Sequence, residues 1–349
     1  MSAPSDIEVS VLKTLWGRDN NGRWEISDLK GIALKPQAGF ALDFFKFESQ
    51  IDLLTGRPRG NIDNIFSTFG TTDFLMKQSI LPVVSWNMDE NIVRCIGTAS
   101  VLSCTGYLLT ACHVLLDPKE RKYGDVVRHG NTLHFGDGIQ MGVFIPLNPA
   151  RGARALHFLP FEKCWYWGEW KESPLFHEPE RFIYLTDIAI CKIPQLPNDV
   201  AHQPLTLSLN PFKQGEKAYA LGYALMDDIS IEIKSGQVIV KEFTQDIFVS
   251  VGEVMDVFPR NHLEKNVPTP GPCFDFKARI PGKMSGGPIL GAQGAVVRGV
   301  VSRSFSGETH AYGAMLGPTM DLPLDAGTTL NSLMASGNEG IPKIQGKGL

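Results

Sequence analysis

From Ile80 onward the sequence runs in short stretches of β-branched and aromatic residues, and turn residues separate them at intervals of roughly ten positions. Residues 92–102 form one stretch, residues 103–106 supply a turn, and residues 107–114 form the next stretch. Strands that return after short turns build antiparallel sheets, whereas parallel sheets need long crossovers between strands. The sequence therefore predicts a mostly β protein, built as an antiparallel sandwich or barrel.

Ser285 lies in a stretch that predicts a tight turn. Gly286, Gly287 and Pro288 follow it at once, and Ile289 begins the next strand candidate. Glycine adopts backbone angles closed to other residues, and proline fixes its own φ. Such a turn presents the serine before a strand begins. Taken alone, the stretch fits a plain turn as well as a nucleophile, because a motif needs its partners.

A serine hydroxyl acts as a nucleophile only beside a base, and the base needs a group that orients it. Of the eight histidines, His113 is the one that closes an apolar strand candidate; a satisfied core histidine is the alternative. Asp187 interrupts the apolar run of residues 182–193, where an unpaired carboxylate would be costly to bury. An imidazole N–H would satisfy this carboxylate. An aspartate that caps a turn is the alternative.

Three motifs in this order along the chain resemble those of the trypsin/chymotrypsin family of serine peptidases, and more closely its bacterial glutamyl-endopeptidase and high-temperature-requirement branches. They are Thr110-Ala111-Cys112-His113, Thr186-Asp187-Ile188-Ala189-Ile190 and Ser285-Gly286-Gly287-Pro288. Residues 97–102, 215–223 and 299–302 resemble strands of the same family. The resemblance covers about residues 78–325.

The resemblance implies two antiparallel six-stranded β-barrels, with His113, Asp187 and Ser285 as a catalytic triad in the cleft between them. The first barrel would span about 78–200 with a long insertion at 118–180, and the second about 201–325. Residues 1–77 would be an N-terminal extension of unknown role, and residues 326–349 a C-terminal tail. The implied activity is hydrolysis of peptide bonds by a serine endopeptidase through an acyl-enzyme. A catalytically silent protease-fold binding module is the alternative.

The oxyanion hole would consist of the backbone N–H groups of Lys283 and Ser285. The family usually has glycine where this chain has Lys283, and here the glycine stands one position earlier, at Gly282. We expect Gly282 to take up the unusual backbone angles of the loop. Met284 replaces the acidic residue that secures the new N-terminus of trypsin-like zymogens, so activation by that route is not expected.

Three residues are candidates for substrate binding. Arg279 lies six positions before Ser285, near the end of the family's primary pocket, and Ser302 and Arg303 follow each other on the strand that lines the cleft. Two arginines would favour an acidic side chain of the substrate by ion pairing. Solvated arginines are the alternative.

Composition limits the partners and the compartment. A formal net charge of -4 and an isoelectric point near 6.1 give no reason to expect nucleic acid or an anionic membrane as a partner. The six cysteines have no zinc spacing, so we expect reduced thiols, no metal and no cofactor.

Residues 1–8 do not resemble a secretory signal, so we expect a cytoplasmic location. The expected partners are a protein or peptide substrate and a regulatory partner that binds the N-terminal extension.

The aromatic cluster of Trp165, Tyr166, Trp167 and Trp170 has two interpretations. Packing of this stretch onto the main body is preferred to an aromatic binding ledge.

Overall fold

The computed structural model of the chain describes twenty ranges of residues, which are 10–12, 15–18, 24–27, 32–34, 45–51, 79–87, 90–103, 105–116, 126–135, 139–146, 156–171, 181–193, 205–224, 228–234, 237–240, 245–259, 267–291, 296–304, 310–335 and 344–345. Within them, strands predominate. In chain order they are β1 (Ser10–Leu12), β2 (Leu15–Arg18), β3 (Trp24–Ser27), β4 (Ile32–Leu34), β5 (Phe45–Ile51), β6 (Ile80–Asn87), β7 (Ile92–Val101), β8 (Tyr107–Thr110), β9 (Val126–His129), β10 (Thr132–Phe135), β11 (Ile139–Pro146), β12 (Leu156–Pro160), β13 (Lys163–Lys171), β14 (Arg181–Lys192), β15 (Thr206–Ser208), β16 (Lys217–Tyr223), β17 (Ile229–Lys234), β18 (Gln237–Val240), β19 (Gln245–Phe258), β20 (Cys273–Phe276), β21 (Pro288–Gly291), β22 (Val296–Ser304), β23 (Ala311–Met315) and β24 (Ile344–Gln345).

The helices of the described ranges are short. They are α1 (Cys112–Leu115), α2 (Leu330–Ala335) and two 3₁₀ turns, η1 (Gly317–Thr319) and η2 (Asp325–Gly327). No helix of the described ranges is long and apolar enough to cross a membrane.

One sheet, in the C-terminal half, closes on itself. Its strands follow the order β21-β16-β19-β20-β23-β22, and β22 then pairs with β21, for example Pro288 with Val300. Six strands therefore form a ring in which every strand of the ring has a neighbour on both sides. Closure removes the exposed edges of an antiparallel sheet. The prediction of a six-stranded antiparallel barrel is confirmed here.

The other large sheet contains the path β11-β6-β7-β8-β14-β13-β10-β9, and its neighbours pair antiparallel. Among the described strands, no pairing leads from β9 or β10 back to β11, so this sheet is not closed. The prediction of two barrels is therefore confirmed for one barrel only. Strands β9 to β13 lie between residues 118 and 180, so the stretch expected to be an insertion supplies strands to this sheet.

The chain segments outside the predicted peptidase region also reach the sheets. From residues 1–77, β2 pairs in parallel with β12, β4 pairs in parallel with β18, and β5 runs parallel to β19 along its whole length. From residues 326–349, β24 pairs with β15, and the Leu330 side chain of α2 is buried.

The burial pattern of β7 shows how the two sheets meet. Its first residues alternate between buried and partly exposed, as in a sheet with one covered face, but from Gly97 to Val101 every residue is buried. A Cβ on Gly97 would lie 2.6 Å from the Val114 side chain and 3.0 Å from the carbonyl oxygen of Ser285. The second half of β7 is thus covered by the turn that carries Ser285.

The aromatic cluster packs inward. Trp165, Tyr166 and Trp167 are buried, and the two indole N–H groups donate hydrogen bonds of 3.2 Å to Asp325 Oδ1 and to the carbonyl oxygen of Pro323. The packing interpretation is confirmed for these three residues; the side chain of Trp170 lies outside the described part of the chain.

The cysteines of the described ranges are all buried free thiols, as predicted. They are Cys95, Cys112, Cys164, Cys191 and Cys273. Burial raises the pKa of the Cys95 thiol to about 12, so this side chain stays protonated and unreactive near neutral pH. Cys104 lies outside the described residues.

Candidate active site

His113 and Asp187 come together because their elements are neighbours. Strand β8 ends at Thr110 and pairs with β14, which carries Asp187; Thr110 lies opposite Ala189. The apolar run that ends in His113 was expected to be one strand, but after Thr110 the chain turns into α1, and His113 lies on this short helix. The turn buries Cys112, Val114 and Leu115 beneath the helix and brings His113 over Asp187.

Asp187 accepts two hydrogen bonds from His113. The backbone N–H of His113 donates to Oδ1 at 3.0 Å, and the ring Nδ1 lies 2.7 Å from Oδ2. An ionised carboxylate only accepts hydrogen bonds, so Nδ1 carries the proton and, in the neutral ring, Nε2 keeps its lone pair. The Asp187 side chain is 3% exposed and that of His113 is 24% exposed, so the acid is buried and the ring reaches the surface.

The ionisation of Asp187 is a balance of opposing effects. Burial by itself raises the pKa of this carboxyl group, but the charge of His113 and the hydrogen bonds from the His113 ring, Ser302 and the His113 backbone outweigh it. The pKa is therefore lowered, and Asp187 is an anion at neutral pH. A buried anion in this place orients the imidazole ring.

Two hydroxyl groups, those of Ser302 and Thr269, also support Asp187. Ser302 is fully buried, and its hydroxyl donates to Asp187 Oδ2. The hydroxyl oxygens of Thr269 and Ser302 are 2.9 Å apart. Since the one proton of Ser302 goes to the carboxylate, Thr269 is the donor to Ser302. Ser302 was predicted to bind substrate, but its side chain is buried and binds Asp187.

Thr269 was not expected from the sequence. It lies between two prolines in the stretch Val267-Pro268-Thr269-Pro270, and its carbonyl oxygen accepts a hydrogen bond from the Cys273 thiol at 3.4 Å. The sequence signal for Thr269 is the proline on each side, because two prolines fix the backbone around this polar side chain.

Ser285 lies in the turn before β21, and its hydroxyl contacts β22 of the closed barrel. The hydroxyl donates to the carbonyl oxygen of Ser302 at 3.0 Å. Around it, the N–H of Gly286 donates to Val301 at 2.8 Å, and the N–H of Gly287 donates to Met284 at 3.0 Å. The backbone N–H of Ser285 has no hydrogen-bond partner among the described residues.

Lys283, and not Gly282, takes up the unusual backbone angles of this turn. The φ of Lys283 is 77°, whereas Gly282 does not have a positive φ. The expectation for Gly282 is therefore wrong. The carbonyl oxygen of Lys283 accepts a hydrogen bond from the hydroxyl of Thr98, and the next residue, Met284, is buried in the apolar core, so the turn is anchored on the C-terminal side of Lys283.

The remaining predicted residues lie near the same turn. Arg279 and Arg303 are both exposed. The carbonyl oxygen of Arg279 accepts a hydrogen bond from the Ser250 hydroxyl at 2.6 Å, which fixes the backbone at this position. Exposed guanidinium groups agree with the interpretation that both side chains are solvated.

The chain belongs to the trypsin-like peptidase family. A family model described as the trypsin-like peptidase domain matches residues 97–297, which is more than half of the chain and includes His113, Asp187 and Ser285. A search of the curated proteins found no match.

Several solved structures are similar to the chain at low identity. The Rv3671c protease from M. tuberculosis in its active form is 17% identical, over 69% of this chain and 77% of that one, with a TM-score of 0.35. The MamO protease domain from Magnetospirillum magneticum is 12% identical, over 69% and 93%, with a TM-score of 0.39. The HtrA-type protease AlgW with a decapeptide is 15% identical, over 68% and 61%, with a TM-score of 0.38.

Proposed function

We propose that the protein is a serine endopeptidase that hydrolyses peptide bonds of a protein substrate. The observation that carries the proposal is the buried Asp187 anion bonded to Nδ1 of His113. This contact leaves Nε2 of His113 as the base, in a chain of the trypsin-like peptidase family that presents a serine on a glycine turn. The resemblance to the glutamyl-endopeptidase and high-temperature-requirement branches rests on the sequence motifs.

The proposed reaction has two halves. In the first, Nε2 of His113 takes the proton of the Ser285 hydroxyl as its oxygen attacks the peptide carbonyl, and the protonated ring then gives this proton to the leaving amine. In the second, His113 removes a proton from water as the water oxygen attacks the acyl group, and the ring then gives this proton to the Ser285 oxygen as the acyl bond breaks and the acid is released. Asp187 holds the ring and offsets its positive charge in both halves.

The negative charge of each tetrahedral intermediate falls on the former carbonyl oxygen. We assign the backbone N–H of Ser285 to this oxyanion because it has no partner among the described residues, and the backbone N–H of Lys283 because of its place in the family motif. The removal of one such donor typically lowers kcat by about 10²–10³-fold.

A fluorophosphonate probe tests the function directly. We expect it to label wild-type protein at Ser285, and the Ser285→Ala variant to lose both labelling and peptide hydrolysis. The matched control is Ser208→Ala, because Ser208 is a buried serine whose hydroxyl accepts a hydrogen bond from the Asn210 N–H. This control variant should keep full labelling.

A catalytically silent binding module is the second candidate. The contact that favours it is the hydrogen bond between the Ser285 hydroxyl and the Ser302 carbonyl, which keeps the hydroxyl proton away from a base. Folded wild-type protein that neither reacts with the probe nor cleaves any member of a peptide library would establish this candidate and refute the endopeptidase.

A further inference from the structure

Thr98, in the second half of β7, is fully buried and uses all of its polar groups. Its N–H donates to the carbonyl oxygen of Ser285 at 2.8 Å, and its carbonyl oxygen accepts from the Thr110 hydroxyl at 2.8 Å. Its hydroxyl oxygen lies 2.9 Å from the backbone nitrogen of Tyr223 and 3.1 Å from the carbonyl oxygen of Lys283.

The direction of each hydroxyl contact is fixed by chemistry. The backbone N–H of Tyr223 can only donate, so the Thr98 oxygen accepts there. A carbonyl can only accept, so the single hydroxyl proton of Thr98 goes to Lys283. One threonine of the open sheet therefore holds two carbonyl groups of the turn in the closed barrel, those of Lys283 and Ser285.

These two carbonyl groups lie on either side of the N–H of Ser285. Lys283 has a φ of 77°, a conformation that costs free energy for any residue other than glycine. Such a conformation persists only where the surrounding contacts over-determine it. The contact from the Thr98 hydroxyl is a restraint of this kind, because it fixes the peptide group that follows the strained residue.

We propose that Thr98 is a positioning residue for the oxyanion hole. Its hydroxyl keeps Lys283 in the left-handed conformation, and its N–H fixes the carbonyl of Ser285, so that together these two contacts set the directions of the backbone N–H groups of Lys283 and Ser285. The catalytic part of this inference rests on the proposed function, and the conformational part does not.

The space around Thr98 permits a clean substitution. A Cβ on Gly222 would lie 2.9 Å from the Thr98 hydroxyl oxygen and 3.0 Å from Met284 Cα, so the side chain occupies a slot that a glycine leaves open. Valine has nearly the shape of threonine, so Thr98→Val removes the two hydrogen bonds of the hydroxyl and keeps the volume of the side chain. Thr98→Ser keeps the hydroxyl.

The first test needs no activity. In crystal structures of the variants, we expect Thr98→Val to lose the positive φ at Lys283 and Thr98→Ser to retain it. If Thr98→Val does not fold, Thr98→Ala removes the same hydroxyl without adding an atom and serves instead. A positive φ at Lys283 in a variant without the hydroxyl overturns the inference, whether or not the protein is an enzyme.

The second test measures peptide hydrolysis in wild type, Thr98→Val, Lys283→Gly and the double variant. We expect Thr98→Val to lower kcat roughly tenfold to a hundredfold with little change in KM, since misplacing an oxyanion donor costs less than the 10²–10³-fold of removing it. In the Lys283→Gly background the same change should lower kcat only a few-fold, because glycine adopts a positive φ without help.

The matched control for both tests is Thr319→Val. Thr319 is as buried as Thr98, and its hydroxyl donates to the carbonyl of Leu316, away from the site. It should leave kcat unchanged, and Thr98→Ser should restore most of the lost rate. An equal loss of kcat in both backgrounds at position 283 overturns the inference. A wild-type protein without any activity refutes the proposed function instead, and the crystal structures still decide the role of Thr98.

Discussion

Asp187 is a buried anion of the site, and its lowered pKa leads to a prediction for stability. Burial opposes the anion, but His113 and the hydrogen bonds around it lower the pKa below the ordinary value of about 3.9. A group with a lowered folded-state pKa stabilises the protein above the unfolded value and loses this contribution as the pH falls through the folded value.

We therefore expect the free energy of unfolding of wild type to decrease as the pH falls below about 4, and part of this decrease to be missing in Asp187→Asn. Urea unfolding between pH 2 and pH 7 measures it. Asp321→Asn is the control, since Asp321 is an exposed aspartate. If Asp187→Asn and wild type lose stability in parallel, the lowered pKa is refuted.

Three residues of the site could be found from the sequence because each one departs from its surroundings. Ser285 begins a run of glycines, Asp187 is a charge in an apolar run, and His113 ends one. The roles of Thr98 and Thr269 could not be found in this way, although prolines flank Thr269, because the partners of both residues are distant along the chain. Thr98 and Lys283 are 185 positions apart, and Thr269 and Ser302 are 33 apart. Local patterns carry no information on such contacts.

Among the elements, the turn between β20 and β21 depends on Gly286 for two reasons. Its φ is 87°, and a Cβ there would overlap the carbonyl oxygen of Thr98 and the hydroxyl of Thr110. Gly215 has almost the same backbone, with a φ of 83°, but a Cβ there would meet nothing within 4 Å. The two glycines thus share a positive φ and differ in the space around them.

We expect Gly215→Ala to lower the free energy of unfolding by about 1–2 kcal/mol, the usual cost of a left-handed residue other than glycine. Gly286→Ala should cost more than this and should also prevent fluorophosphonate labelling, because the turn must move away from Thr98. Urea unfolding and the probe measure the two effects. Equal losses of stability in the two variants would show that the space around Gly286 does not matter.

The strands were easier to predict than their pairing. Residues 92–102 and 107–114 were predicted as strands, and β7 and β8 lie within them. After Thr110, the apolar character of Cys112, Val114 and Leu115 continues through α1, so apolar character alone does not mark where the strand ends. The closure of one sheet and the path of the other depend on contacts between distant strands, which the local rhythm does not encode.

At the scale of the whole molecule, the C-terminal segment ties the two halves together. Leu316, Met320, Leu324 and Leu330 belong to the same buried cluster as the core of the open sheet. Lys163 of β13 also forms an ion pair of 2.5 Å with the exposed Asp325, where solvent weakens its contribution. Apolar burial is therefore the main contribution of this segment to stability.

We expect Leu330→Ala to lower the free energy of unfolding by about 2–5 kcal/mol, as is usual for a leucine removed from a core. Leu330 is 1% exposed, and the control, Leu185→Ala, truncates a leucine that is 49% exposed. The control should change stability by less than about 0.5 kcal/mol. Similar small changes in both variants, measured by urea unfolding, would mean that the C-terminal segment does not stabilise the core.

The hydrogen bond between the Ser285 hydroxyl and the Ser302 carbonyl competes with a hydrogen bond from the same hydroxyl to a base. A hydroxyl has one proton, so the serine that gives it to this carbonyl cannot at the same time give it to a base. Side-chain rotation takes picoseconds to nanoseconds, so exchange between the bound and the released hydroxyl would add no delay to the proposed turnover. A typical hydrogen bond of about 1 kcal/mol would leave roughly one molecule in six with its serine released. In the proposed reaction every substrate would meet this same fraction, so the contact would lower all rates by one common factor and contribute nothing to the choice between substrates.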